Sequence, residues 1–266
     1  MSSSLDLTCP GAARKMNEPA RACILVGIIA GGLLVDQTVE FWGQMLANVA
    51  VWSLFLRWLQ RADADEQIAL TTCVLYATLG EIFLSLVWGL YEYRMGNIPL
   101  FVPPGHAMLF MLGGMLAARA GNWIVWLTPL AATPFVCLLL LSGAGSFDAL
   151  LFAIFLLCLL FGRAKKLYAV MFVLSLAMEI YGTWLGNWIW ETTVPWLGLT
   201  TINPPLAAGA FYSVLDMLVV ATASRSSFSP LTPCQPGPFR DIKRFFPAWR
   251  LAARLSAQHA HTAVDT

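Results

Sequence analysis

Three acids stand inside apolar stretches: Glu81 in GEIFLSLVW, Glu179 in MEIYGTWLG and Asp216 in FYSVLDMLVV. At a bilayer centre a charged acid costs at least about 2.5–3.5 kcal/mol, so each must be paired, protonated or in contact with water. Leucine would pack better at all three positions, which points to chemistry. A carboxylic acid kept neutral by a low-dielectric site can donate its proton to an alkene. Aromatic faces such as those of Trp88, Tyr91, Trp188 and Trp190 stabilise the resulting carbocation. A second, ionised carboxyl then activates water or removes a proton. Glu81 and Glu179 are expected to be the acid–base pair and Asp216 a positioning carboxyl. The structural alternative is that protonated acids serve only as interhelical hydrogen bonds.

The two glutamates head similar segments. WGLYEYRMGNIPLFVPPGH follows the first and LGNWIWETTVPWLGLTTINPP the second, each ending at a Pro-Pro pair. Aligning Glu81 with Glu179 places Ser85 with Thr183 at offset 4, Trp88 with Gly186 at offset 7, and Glu92 with Trp190 at offset 11. Those offsets lie on one helical face, so each series is expected to form one stripe. At about 1.5 Å rise per residue, Glu81 would lie about 16 Å below Glu92. Both loops fall on the same side of the membrane, so the internal repeat is expected to be parallel. Above the acids stands a polar and aromatic rim: Trp88, Tyr91, Glu92, Arg94, Asn97 and His106 from the first half, and Asn187, Trp190, Glu191, Asn203 and Tyr212 from the second. These are the candidate substrate-binding residues, with Tyr93, Trp188 and Trp196 nearby. Glu92, Arg94 and His106 would orient the polar end of a substrate. The ordinary role of interfacial Trp and Tyr, an aromatic belt, accounts for most of the aromatic ones.

The elements that must position these groups are helices. Of the 266 residues 58% are hydrophobic and only 12% charged, and the mean hydropathy is +0.69. Soluble domains carry roughly 25% charged residues. Apolar runs of about 18 residues cross a bilayer as helices, because backbone groups must be satisfied internally. The expected fold is an all-α polytopic membrane bundle of seven or eight spans: 22–37, 39–59, 68–93, 103–119, 123–142, 147–162, 167–190 and 204–224. The first two are read as a hairpin interrupted at Asp36–Glu40. Gly113 and Gly114 suggest close helix packing.

Basic residues set the orientation. Arg57, Arg61, Arg119, Arg163, Lys165 and Lys166 fall on one side, with Arg14, Lys15 and Arg21 before the first span and Arg225 to Arg254 after the last. Residues 1–21 and 225–266 are therefore expected to be cytoplasmic segments around a transmembrane domain at 22–224, in a bacterial plasma membrane. PFRDIKRFFPAWRLAARLSA in the tail reads as an amphipathic helix or as a solvated segment.

Much chemistry is excluded. A net charge of +1 gives no footprint for nucleic acid. His106 is the one histidine between the tails, His259 and His261 lying near the end, which is too few for a di-iron hydroxylase and poorly placed for a haem. The six cysteines form no CxxC, and no nucleotide-loop, GxSxG or HExxH motif is present. No metal and no cofactor are expected.

An acid in a helix, a stretch ending in Tyr-x-Tyr (YEY, Tyr91–Tyr93) and a Gly- and Pro-containing turn (GNIPLFVPP) before the next helix resemble the integral-membrane carotenoid hydratases. The likeness covers residues around 78–110 and 176–220, and the Pro-Pro-Gly-His sequence departs from it. The resemblance implies a lipid-soluble polyene or isoprenoid partner and acid–base hydration, isomerisation or cyclisation. The alternative is a proton-coupled transporter, since parallel repeats with midplane acids also describe carriers. A non-catalytic membrane partner presenting the outer tryptophans is a third reading.

Overall fold

A computed structural model describes residues 17–226. The expectations for residues 1–16, among them Arg14 and Lys15, and for the tail from 227 onward, with its amphipathic helix, lie outside the described residues. The chain forms eight α-helices among the described residues: α1 (Glu18–Thr38), α2 (Glu40–Leu59), α3 (Ala64–Glu81), α4 (Val102–Arg119), α5 (Ile124–Leu141), α6 (Ser146–Phe161), α7 (Lys165–Leu185) and α8 (Gly209–Ser226). α3 continues as a π-helical segment, Ile82–Val87. Two three-residue strands, β1 (Tyr91–Tyr93) and β2 (Trp188–Trp190), complete the fold.

Four helices are long and apolar enough to cross a membrane: Glu18–Thr38, Ala64–Val87, Ile124–Leu141 and Lys165–Leu185. The outside of the bundle is correspondingly apolar, with Trp126, Leu130, Leu141, Phe161 and Trp184 all exposed. A soluble monomer rarely presents so continuous an apolar surface, whereas hydrocarbon solvates it.

The first long apolar stretch folds as a hairpin. Its helices break at Val39, and Gly43 then packs directly on the Val35 carbonyl. Gly32 faces Val51 across the pair, and the Arg21 guanidinium lies 5.5 Å from the Trp58 ring. These contacts require antiparallel helices.

α3, α4, α7 and α8 form the centre: α3 and α7 each pack against both α4 and α8. The α1–α2 hairpin flanks this ring along α4 and α7, and α5–α6 flanks it along α7 and α8. Gly113 of α4 sits against Met171 of α7, so the expected close packing occurs there. The α3 N-terminus is capped by Asp63, whose carboxylate accepts from the Glu66 amide at 2.9 Å.

The two expected stripes do not form. Helical geometry stops at Val87 and at Leu185, short of the ends at 93 and 190 read from the sequence. Gly89 and Gly186 adopt φ of 71° and 83°, the left-handed conformation that ends helices and that glycine enters at little steric cost. The chain turns back at each into a strand, so Trp88 and Glu92 leave the line of Glu81, and Trp190 leaves that of Glu179. At the start of the last helix the chain makes a turn at 205–208, and α8 begins at Gly209 rather than at 204.

Candidate functional site

β1 and β2 pair antiparallel, with Tyr91 opposite Trp190, Glu92 opposite Ile189 and Tyr93 opposite Trp188. Strand side chains alternate between faces. All four aromatic residues of the ladder are therefore on the buried face, while Glu92 and Ile189 point away and are exposed. Each strand sits over the acid of the helix that precedes it. Tyr91 and Tyr93 donate their hydroxyls to Glu81 Oε2 at 2.8 and 2.7 Å. Trp188 and Trp190 donate their indole N–H groups to Glu179 Oε2 at 2.8 and 3.0 Å. Gly182 makes the second grip possible, because its bare Cα lies against the Trp188 ring where a Cβ would collide.

The remaining oxygens are also engaged. Tyr212 donates to Glu179 Oε1 at 3.0 Å. His106 Nε2 lies 3.6 Å from Glu81 Oε1, and its Nδ1 is 3.0 Å from the Val102 carbonyl. A carbonyl only accepts, so the Nδ1 proton goes to Val102 and Nε2 faces the acid. Glu81 and His106 thus face each other across 3.6 Å. The His106 and Tyr212 rings stack at 5.0 Å and 5°, joining the two half-sites.

The donors differ in kind. Indole N–H can only donate, so Glu179 Oε2 is fixed as an acceptor. Phenol O–H can donate or accept, so the phenols do not fix Glu81 Oε2 in the same way. Burial, with Glu81 next in weight, pushes the phenols of Tyr91 and Tyr93 well above the ordinary tyrosine range, so they stay protonated.

Both carboxyls open into one cavity of about 550 Å³. Its ceiling is the inward aromatic face of the strands, and its walls are apolar, including Ile28, Leu33, Met108, Leu151 and Leu215. Leu79, Phe83 and Leu218 line it and remain substantially exposed, so the wall is open sideways along this seam.

Of the other expected site residues, His106, Tyr91, Trp190 and Tyr212 reach the cavity. Asp216 does not. It is completely buried, and neither carboxyl oxygen has a hydrogen-bond partner among the described residues. The cavity follows Phe211, Val214, Leu215 and Leu218 along α8, and Asp216 is on another side of that helix. Trp88 is outside the cavity, donating to the Pro195 carbonyl at 2.8 Å. Glu92 and Glu191 are exposed.

Four polar rim residues form a frame around the ladder. Arg94 binds the Asp36 carbonyl at 2.6 Å and its carboxylate at 3.4 Å. Asn187 donates to the same carboxylate at 2.7 Å and to the Leu33 carbonyl at 3.1 Å. Asn97 donates to Gln44 at 3.1 Å, and Asn203 accepts the Trp190 amide at 3.0 Å. These bonds tie the α1–α2 hairpin and the second loop to the strands. They leave His106 as the polar group from the expected orienting trio that faces the cavity.

Sequence reasoning did not find Asp36 as an anchor, or Tyr93 and Trp188 as carboxylate donors. The signal for the latter pair was the alternation in YEY and WIW, which puts two aromatics on one face of an extended segment. Among the described residues no group of three His, Cys, Asp or Glu is placed to hold a metal ion.

No protein-family model, curated protein or solved structure matches this chain.

Proposed function

We propose that this protein is an integral-membrane enzyme that performs acid–base chemistry on an isoprenoid or polyene lipid. The observation that carries this is the pair of buried carboxyls, each gripped by aromatic donors and both facing one apolar cavity that opens sideways toward the bilayer. An apolar wall with few polar groups at one end suits a hydrocarbon whose reacting double bond lies at its tip.

In this reading Glu81 is the acid. Its proton passes from Oε1 to one alkene carbon and the neighbouring carbon becomes a tertiary cation. The π faces of Tyr91 and Trp190 stabilise that charge. Glu179, whose carboxyl accepts three hydrogen bonds, is the base. In hydration a water oxygen bonds to the cation and Glu179 takes the proton that the water loses. In isomerisation Glu179 takes a proton from the carbon beside the cation. In cyclisation a second double bond attacks the cation first, and Glu179 removes a proton from the new ring. Return of that proton to Glu81 resets the pair.

The likeness of the acid–YEY–Pro segments to carotenoid hydratases supports the substrate class. Eight spans with both termini cytoplasmic, in a bacterial plasma membrane, agree with the α1–α2 hairpin and with the placement of Lys and Arg. A parallel repeat of α3–β1–α4 and α7–β2–α8 agrees with the ladder, which is symmetric about Glu92 and Ile189, and with the exchange-symmetric packing of the four central helices.

The test is to express Glu81→Gln and Glu179→Gln full-length chains in a pigment-forming host and to profile apolar pigments and lipids. Loss of a product with protein levels intact supports the reading, and an unchanged profile removes it. Solute-dependent proton uptake into proteoliposomes without conversion would select the carrier instead.

A further inference from the structure

Resting on that reading, we infer that Phe83, Trp88 and Trp196 form a second binding subsite at the lateral opening. This subsite takes the planar conjugated chain of the lipid where it leaves the cavity. Phe83 belongs to both places: it lines the cavity, it is 45% exposed, and its ring also contacts Trp88 and Trp196. The π-helical turn at Ile82–Val87 puts it there, since the wider turn rotates side chains off the α-helical stripe. The Phe83 ring is 5.8 Å from Trp88 and 6.4 Å from Trp196, and the two indoles stack at 5.9 Å and 15°.

Trp196 carries the argument. Its φ is 68°, and it is the one non-glycine residue with positive φ among the described residues. A bulky side chain is rare in that region, and such conformations persist where surrounding structure imposes them. Here the Pro195 carbonyl is held by Trp88, and the loop is closed by bonds between Val194 and both Gly198 and Leu199. Yet the Trp196 ring is 70% exposed, so the strained conformation serves no core packing. Glycine would relieve the backbone, and an ordinary belt tryptophan, such as Trp126 or Trp184, sits in an unstrained helix. What the conformation does supply is a flat indole stacked beside Trp88 and against Phe83 of the cavity lining. Offset aromatic faces favour a flat conjugated ligand over a saturated chain of the same length.

The experiment uses purified full-length protein and a linear conjugated tetraene fatty acid, read by the tetraene's own emission, with its saturated counterpart as competitor. Wild-type protein is expected to prefer the tetraene. Trp196→Gly should weaken tetraene binding by about threefold to tenfold, the range for one aromatic contact, while saturated-chain binding and the melting temperature hold. Phe83→Leu should weaken it similarly, and it provides the test if the glycine variant does not fold. Equal tetraene affinity in wild type and the folded variants overturns the subsite, as does a wild type that binds both lipids alike. If Trp196→Gly weakens tetraene binding while the pigment profile of a Glu81→Gln host is unchanged, the acid–base reading fails and the subsite stands.

Discussion

Tyr91 and Trp190 face each other across the β1–β2 ladder with ring centroids 4.6 Å apart, yet they donate to different acids, Tyr91 to Glu81 and Trp190 to Glu179. The ladder therefore fixes the two carboxyls relative to one another. Slippage of either strand by one residue would turn its two aromatic donors away from the site.

Glu179 should tolerate glutamine far better than leucine. Glutamine retains an oxygen for Trp188 and Trp190, whereas leucine leaves two buried indole N–H groups unpaired at about 1–3 kcal/mol each. Thermal unfolding in detergent should place Glu179→Gln near wild type and Glu179→Leu well below it. Both variants should lack product in the pigment profile.

Tyr91→Phe and Tyr93→Phe each remove one donor from the same oxygen of Glu81. Each should cost about 1–2 kcal/mol, and the double variant should depart from the sum because the two bonds share an acceptor. A double-mutant cycle on unfolding measures this coupling. Strict additivity would place the two hydroxyls in separate networks.

The helices themselves were legible because apolar runs set them, although the ends read at 93, 190 and 204 were not, and the two glutamates stood out because they interrupt such runs. Which way each acid faces was not legible. The 0, 4, 7, 11 alignment assumed one continuous helix, and Gly89 and Gly186 end it. Three-residue strands are too short to show a period against a helical background. Asp36 read as an interruption in a span because its partners, Arg94 and Asn187, lie 58 and 151 residues away. Asp216 was legible as a buried acid, but its separation from the cavity depends on how α8 is rotated in the bundle.

Asp36→Ala should loosen the frame. Arg94 and Asn187 would lose a buried carboxylate, and breaking such a pair costs about 3–5 kcal/mol. Limited proteolysis should then cut the 94–101 loop faster, whereas Asp36→Asn should stay close to wild type. Equal protection in the alanine variant would show that the hairpin is held by packing alone.

Gly182→Ala should abolish activity without unfolding the helix. Alanine favours helix by about 1 kcal/mol over glycine, yet its Cβ enters the space of the Trp188 indole. The ring must move off Glu179. A red shift in tryptophan emission, alongside loss of product, would report that movement.

Each acid has its donors close by in sequence. Tyr91 and Tyr93 follow Glu81 by 10 and 12 residues, and Trp188 and Trp190 follow Glu179 by 9 and 11. During biosynthesis, each carboxyl can thus be solvated by hydrogen bonds from its own freshly made segment before later segments emerge from the ribosome. Neither acid has to wait, unsolvated, for a distant partner to arrive.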